Sequence, residues 1–261
     1  MYRMKFLCSV LLASLALGSC SDQPQLIGES DDIFLASVTS VQESLPETDR
    51  ADFSTALKGF EFLYGENALS VLADSTRIKE RVRTRLSGMN GQEVLELWIE
   101  RRDRAIRQLM DKKAVNEEAL EKMKPVEIER SRFRINRAGQ RIVELKVKNN
   151  TEFDIAHIYF RGILTSRGRR APWVDDTFHY PFELKPEESA ELKFALLGAV
   201  WQDVPEGRRN LKLEVTVIRI DSGHETPIYD AYTNPFTKHD LERLETLTEF
   251  KKATSTESDI D

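Results

Sequence analysis

Residues 178–196 have the sequence FHYPFELKPEESAELKFAL, and this stretch decides the fold of the C-terminal half of the chain. Apolar side chains alternate with polar or smaller ones over residues 178–184 and again over residues 190–196. Because successive side chains of a strand point to opposite faces of the sheet, this period of two predicts two half-buried strands. Pro186 and Glu187 lie between the two runs and predict a turn.

The same alternation recurs on both sides of this stretch. Residues 143–147 and 211–217 show it, and the apolar stretches at 128–135 and 155–164 complete a set of about six strands. No segment with helical period lies between them, which favours antiparallel strands over a parallel sheet. We therefore predict an immunoglobulin-like β-sandwich over residues 126–235.

The chain before Pro125 has the period of amphipathic helices instead. One predicted helical face carries apolar residues spaced by three or four positions: Phe34, Val38, Val41 and Leu45. Similar stripes continue and predict a helical bundle over residues 31–124. A further helix is expected at residues 236–252, and the polar residues 253–261 predict a disordered tail. The expected fold class is α+β, with an N-terminal helical bundle, an antiparallel immunoglobulin-like sandwich and a C-terminal helix.

The first twenty residues have the organisation of an export signal. Arg3 and Lys5 precede an uncharged apolar run at residues 6–17. That run is too short to span a bilayer, which needs roughly 20 apolar residues, and it fits the apolar part of a secretory signal. We predict a signal peptide at residues 1–19, followed by Cys20 and a flexible tether at residues 20–30. An ordinary secretory signal with a chance cysteine is the alternative.

The tetrapeptide Leu17-Gly18-Ser19-Cys20 resembles the lipobox of bacterial lipoproteins. This resemblance implies that Cys20 becomes the first residue of the mature chain and is the lipid attachment site, carrying two or three acyl chains. Several acyl chains hold a protein stably on a membrane, whereas a single chain does not. Ser21, rather than an aspartate, follows the cysteine, which implies the periplasmic face of the outer membrane in a Gram-negative host.

Two further stretches carry family resemblances. Ala36-Ser37-Val38 and Phe53-Ser54-Thr55-Ala56-Leu57 resemble uncharacterised proteobacterial lipoproteins that have a helical domain of unknown function after their lipidated cysteine. Asn149-Asn150-Thr151 and Leu184-Lys185-Pro186-Glu187-Glu188 resemble immunoglobulin-like modules of other envelope lipoproteins. Neither resemblance brings a catalytic residue with it.

Cysteine content and charge exclude several classes of function. The two cysteines are Cys8, inside the predicted signal, and Cys20, so a mature domain has no disulfide, zinc thiolate or cysteine nucleophile. Removal of residues 1–19 takes away Arg3 and Lys5 and changes the net charge from −6 to −8. An acidic exported protein is a poor candidate for binding nucleic acid.

Basic residues are concentrated locally between positions 77 and 107. They are a candidate contact for anionic lipid headgroups or for an acidic partner. The favoured alternative is a solvated helical face, since acidic residues such as Glu80 and Glu96 occur at spacings that allow ion pairs.

The sequence carries no recognisable catalytic motif, and we expect no enzyme activity, no cofactor and no metal site. The four histidines are scattered, and phosphate-binding glycine loops are absent. The alternative is an envelope hydrolase with an unfamiliar site near Asp175, Asp176 and His179. Neighbouring strand residues point to opposite faces, so Asp175 and Asp176 are poorly placed to share a ligand.

The stretch 167–173 is the candidate partner-binding loop. It carries Arg167, Arg169, Arg170 and Trp173, and arginine and tryptophan are frequent contact residues in interfaces. The alternative is that Trp173 closes one end of the sandwich while the arginines stay in water. We expect a non-catalytic interaction or scaffold module, held on a membrane through Cys20, that binds an unknown envelope protein or glycan.

Overall fold

The structure, a computed structural model, describes residues 23–65, 75–207, 210–223 and 226–253. The predicted signal peptide, Cys20 and residues 254–261 lie outside the described residues. The expected α+β class is confirmed, with helices in the N-terminal half and antiparallel sheets in the C-terminal half.

Six helices and seven strands make up the described part of the chain. The helices are α1 (Asp31–Ser44), α2 (Glu47–Gly65), α3 (Ser75–Leu86), α4 (Gly91–Met123), α5 (Ala199–Gln202) and α6 (Lys238–Ala253). The strands are β1 (Val126–Ile135), β2 (Arg141–Asn149), β3 (Ile155–Ser166), β4 (Val174–Leu184), β5 (Ser189–Ala195), β6 (Leu211–Asp221) and β7 (Pro227–Asp230).

The chain forms two compact units. The helical unit comprises the described residues up to Arg102 together with residues 250–253, and the β unit comprises residues 103–249. The division falls inside α4 rather than at Pro125, where the change of sequence period had placed it. Ala119, Leu120 and Met123 explain the difference, because these residues at the end of α4 pack against the core of the β unit.

The core of the helical unit is built around Trp98. Its indole is fully buried and meets Phe60 and Phe250 edge to face, each at 5.6 Å between ring centroids. Gly59 lies directly against this ring, and a Cβ atom at that position would overlap the indole. The absence of a side chain at Gly59 on α2 therefore leaves the space into which the Trp98 ring of α4 packs.

Residues 25–28, which we call the strap, are fixed to the helical unit. The amide of Leu26 donates to the carbonyl of Met89 at 2.9 Å, and the amide of Gly88 donates back to Leu26 at 2.8 Å. The amide of Ile27 donates to Ser37 Oγ at 3.0 Å. Leu26 itself is 1% exposed. The expectation of a flexible tether through residue 30 is therefore wrong for the strap, because its backbone is hydrogen-bonded and its leucine is buried.

The β unit contains two antiparallel sheets around one hydrophobic core. One sheet has the order β1-β2-β5 and the other the order β4-β3-β6-β7. The inward residues of both sheets contribute to the same apolar cluster, which includes Val143 and Leu145 from the first sheet and Ile158, Phe160 and Ile220 from the second. Successive side chains of each strand thus point alternately into this core and to the solvated outer face of the sheet.

Candidate functional site

The candidate partner-binding loop joins β3 to β4 and has a defined conformation. Trp173 Nε1 donates to Ser166 Oγ at 2.9 Å, and the Trp173 amide donates to the Leu164 carbonyl at 2.7 Å. Arg169 lies over the indole of Trp173, with its guanidinium carbon 3.8 Å from the ring centroid. Its Nε also donates to the carbonyl of Ala171 at 2.9 Å. These contacts hold the loop in one arrangement, which is the condition for binding without a large ordering cost.

The two expected roles of the loop divide between its residues. Trp173 is half-buried and packs against the core of the β unit, so its body closes part of that core. Arg167 and Arg170 are exposed, and Arg169 forms the outer layer over the tryptophan. The loop therefore presents planar cationic groups on a supported base. Guanidinium groups of this kind suit carboxylate and phosphate ligands.

Asp175, Asp176 and His179 do not converge on a common point. Asp175 accepts two hydrogen bonds from Arg161, at 2.7 and 2.6 Å, on the outer face of the sheet. The hydrogen bonds from Arg161 are the largest influence and lower the pKa of Asp175. Burial opposes them, and the charge of Arg161 adds a smaller lowering, so the pKa is lowered overall. Asp176 instead accepts a hydrogen bond at 2.9 Å from the indole of the buried Trp201. Each carboxylate thus has a structural contact of its own.

A row of polar and aromatic residues crosses the outer face of the four-stranded sheet. The register places Asp230, Arg219, Tyr159 and His179 side by side on β7, β6, β3 and β4. The rings of Tyr159 and His179 stack with centroids 5.1 Å apart, and Tyr232 stacks on Tyr159 at 5.2 Å. The pattern of the sequence does not predict this row. Period-two alternation identified outward positions, but only the register shows which of them are neighbours.

Arg219 joins this row to a buried carboxylate. It donates to both oxygens of Asp221, at 2.6 and 2.9 Å, and the side chain of Asp221 is 1% exposed. The guanidinium also lies 4.8 Å from the ring centroid of Tyr159 and 3.5 Å from a carboxylate oxygen of Asp230. Burial raises the pKa of Asp230, but hydrogen bonds from Thr233 and Tyr232 and the charge of Arg219 outweigh burial and lower it overall. The network thus pairs one guanidinium with two carboxylates, and its formal charge is negative.

A partly open cavity of about 340 Å³ lies beside this network within the β unit. Six of its seven lining residues are polar or charged, and the lining comprises Gln108, Asp111, Lys112, Val115, Asn116, Asp230 and Asn234. Three of these residues already have partners in the fold. Asp230 belongs to the network of Arg219, Lys112 pairs with Asp240 at 2.8 Å, and Asn116 donates to the Ala231 carbonyl at 3.1 Å.

Neither a metal cluster nor a membrane span is found in the described part of the chain. No group of three or more His, Cys, Asp or Glu side chains there has the arrangement of a metal site. Within residues 23–65, 75–207, 210–223 and 226–253, no helix is both long enough and apolar enough to cross a bilayer.

Comparison with known proteins gives one match. The model of a family of unknown function, DUF6694, matches residues 5–102. This agrees with the expected similarity of the N-terminal part to an uncharacterised family, and the matched range ends where the helical unit passes into the β unit. No curated protein matches the chain. No solved structure matches it either.

Proposed function

We propose that this protein is a lipid-anchored, non-catalytic interaction module of the bacterial envelope. Acyl chains on Cys20 hold it on a membrane, at the periplasmic face of the outer membrane in a Gram-negative cell. The β unit presents the Arg/Trp loop, residues 167–173, to a partner that carries carboxylate or phosphate groups, either an envelope protein or an acidic glycan.

The strand order supports an immunoglobulin-like identity for the β unit. Three strands in the order β1-β2-β5 face four in the order β4-β3-β6-β7, all antiparallel, as expected for a small sandwich of that class. Sandwiches of this kind use their connecting loops for binding, because a rigid pair of sheets fixes the loop ends. The loop between β3 and β4 lies at such an end.

The observation that carries the proposal is the stacking of Arg169 on Trp173 at 3.8 Å beside two exposed arginines. A guanidinium held over an indole has lost much of its conformational freedom before a partner arrives. Arg167 and Arg170 then add charge-assisted hydrogen bonds to an anionic ligand. Such contacts between charged, planar groups give orientation as well as affinity.

A photo-crosslinking experiment tests the proposed loop. A crosslinking amino acid is introduced at Arg170 in the acylated full-length protein in its native cells, and at the exposed Glu183 at the other end of β4 as a matched position. We expect one discrete product from position 170 that is lost when Arg167 is changed to glutamate. The proposal is contradicted if position 170 gives no product above that of position 183, or if the product survives Arg167→Glu.

The anchoring is tested separately by fractionation. The wild-type protein is expected with the membranes, and the Cys20→Ala variant with the soluble proteins, because the variant cannot be acylated. Equal membrane retention of both forms would contradict lipid attachment at Cys20, whatever the outcome at the loop.

A further inference from the structure

Helix α3 carries an exposed row of like charges. Arg77, Arg81 and Arg85 follow one another at four-residue spacing, so their side chains lie on one side of the helix. All three are exposed, whereas Val82 and Leu86 on the other side are buried. We call these three residues the arginine row. At 1.5 Å per residue, the row extends over about 12 Å of the helix.

The arginine row lacks an ionic partner within the described part of the chain. No acidic side chain of residues 23–65, 75–207, 210–223 or 226–253 lies within ion-pair distance of Arg77, Arg81 or Arg85. Arg83, on a different side of α3, does pair with Asp31 at 2.9 Å. Like charges four residues apart repel each other on a helix, so an anion bound along the row would stabilise it. The ion pairs that favoured a solvated, self-compensated face are therefore not formed by this row.

The strap brings the anchored end of the chain to the end of the same helix. The amide of Gly28 donates to Ser87 Oγ at 3.1 Å, just after α3 ends at Leu86. Gly28 also leaves no room for a Cβ atom, which would lie 2.8 Å from the Ser87 side chain and 3.1 Å from the Arg83 carbonyl oxygen. Leu26 follows Cys20 by six positions in the chain, so a fully extended chain covers at most about 22 Å between them. An anchor at Cys20 therefore keeps α3 close to the bilayer surface.

We propose that the arginine row binds the anionic headgroups of the membrane into which Cys20 inserts its acyl chains. This inference rests on the proposed lipid anchor and adds a second, electrostatic contact to it. The negative charge of the whole mature chain does not oppose it, because charges beyond a Debye length of about 8 Å at physiological salt are largely screened. A basic segment next to a lipid anchor is a recognised means of strengthening and orienting membrane attachment.

The test measures how close α3 lies to the headgroups in the acylated full-length protein. Thr84 is exposed and follows Arg81 by three residues, and a Thr84→Cys variant offers the one unmodified thiol of the mature chain. A fluorescent donor at this position is combined with acceptor-labelled lipid, in vesicles of phosphatidylcholine alone or with about one third phosphatidylglycerol. Flotation of the vesicles is recorded in the same samples.

Two sets of substitutions separate a local effect from a general charge effect. The test set is Arg77→Gln, Arg81→Gln and Arg85→Gln. The matched set removes the same charge from exposed positions of the β unit and consists of Arg137→Gln, Lys185→Gln and Lys193→Gln. With the test set, we expect the ratio of protein with α3 in contact with the membrane to protein with α3 detached to fall by about a hundredfold. This estimate sums the usual contributions of three basic residues at an anionic surface.

The expected result is strong energy transfer on phosphatidylglycerol vesicles that is lost with the test set or in high salt and kept with the matched set. Energy transfer that is the same on both vesicle types, or unchanged by the test set, overturns the proposed headgroup contact while leaving the anchor intact. Failure of the wild-type protein to float with either vesicle overturns the lipid anchor, and the headgroup contact with it.

Discussion

Replacement of Leu26 by alanine is expected to release the strap from the helical unit. The leucine side chain is 1% exposed, and burial of this kind makes a Leu→Ala change cost about 2–5 kcal/mol. The strap lies near the beginning of the described chain and is held by a few hydrogen bonds, including those between Leu26 and residues 88 and 89. The substitution therefore lowers the free energy of local opening of the strap rather than that of global unfolding. A decrease of about 2–5 kcal/mol corresponds to a rise of about thirtyfold or more in the population of the open strap.

Amide hydrogen exchange measures this opening directly. The relevant protons are the amides of Leu26, Ile27, Gly28 and Gly88, each of which donates a hydrogen bond within this part of the fold. Ile27→Ala is the matched control, because the neighbouring side chain has a similar size but is 45% exposed. A change at such a surface position typically alters stability by less than about 0.5 kcal/mol.

The comparison of the two variants decides whether the strap is held as described. We expect fast exchange of the four amides in Leu26→Ala and nearly wild-type exchange in Ile27→Ala. Equal exchange in the two variants would refute the account of the strap, and with it the short distance between Cys20 and α3.

Three further outcomes follow from contacts in the two units. Gly59→Ala should destabilise the helical unit by about 1–2 kcal/mol in urea unfolding, because overlap with Trp98 outweighs the gain in helix propensity. A variant more stable than the wild type would contradict this packing. Asp176→Ala leaves the buried indole N–H of Trp201 without its acceptor, so we expect the free energy of unfolding of the β unit to fall by about 1–3 kcal/mol. A decrease of less than about 0.5 kcal/mol would argue against this hydrogen bond. The pKa of Asp175 is lowered by its arginine partner from the ordinary 3.8, so the stabilisation that Asp175 contributes is present above that value and disappears as the pH falls through the lower folded pKa. Asp175→Asn should therefore differ from the wild type in urea midpoint at pH 6 and progressively less in acid, and a difference that grows in acid would contradict the sign.

The sequence predicted elements well where their pattern was strong. Residues 178–184 and 190–196 became β4 and β5 because one face of each is buried, and the expected C-terminal helix matches α6. The change of period near Pro125 coincides with the end of α4 at Met123 and the start of β1 at Val126. The compact units follow packing instead, and the end of α4 packs with the strands.

Contacts between distant segments could not be predicted in this way. The pairing of Gln25 with Asn90 joins positions far apart in the chain, and nothing in the period of either segment indicates it. The neighbours Arg219 and Tyr159 depend on a register that includes a bulge between Tyr159 and Phe160. A one-residue change in register would place different side chains together, and alternation alone does not fix that choice. The conformation of the Arg/Trp loop likewise depends on such contacts.

Mass spectrometry of the mature protein extracted from its native membranes tests lipid attachment most directly. We predict an N-terminal peptide that begins at Cys20 and whose sulfur carries a diacylglyceryl group, with residues 1–19 absent. An unmodified Cys20, or a mature chain that begins at another residue, would contradict the account.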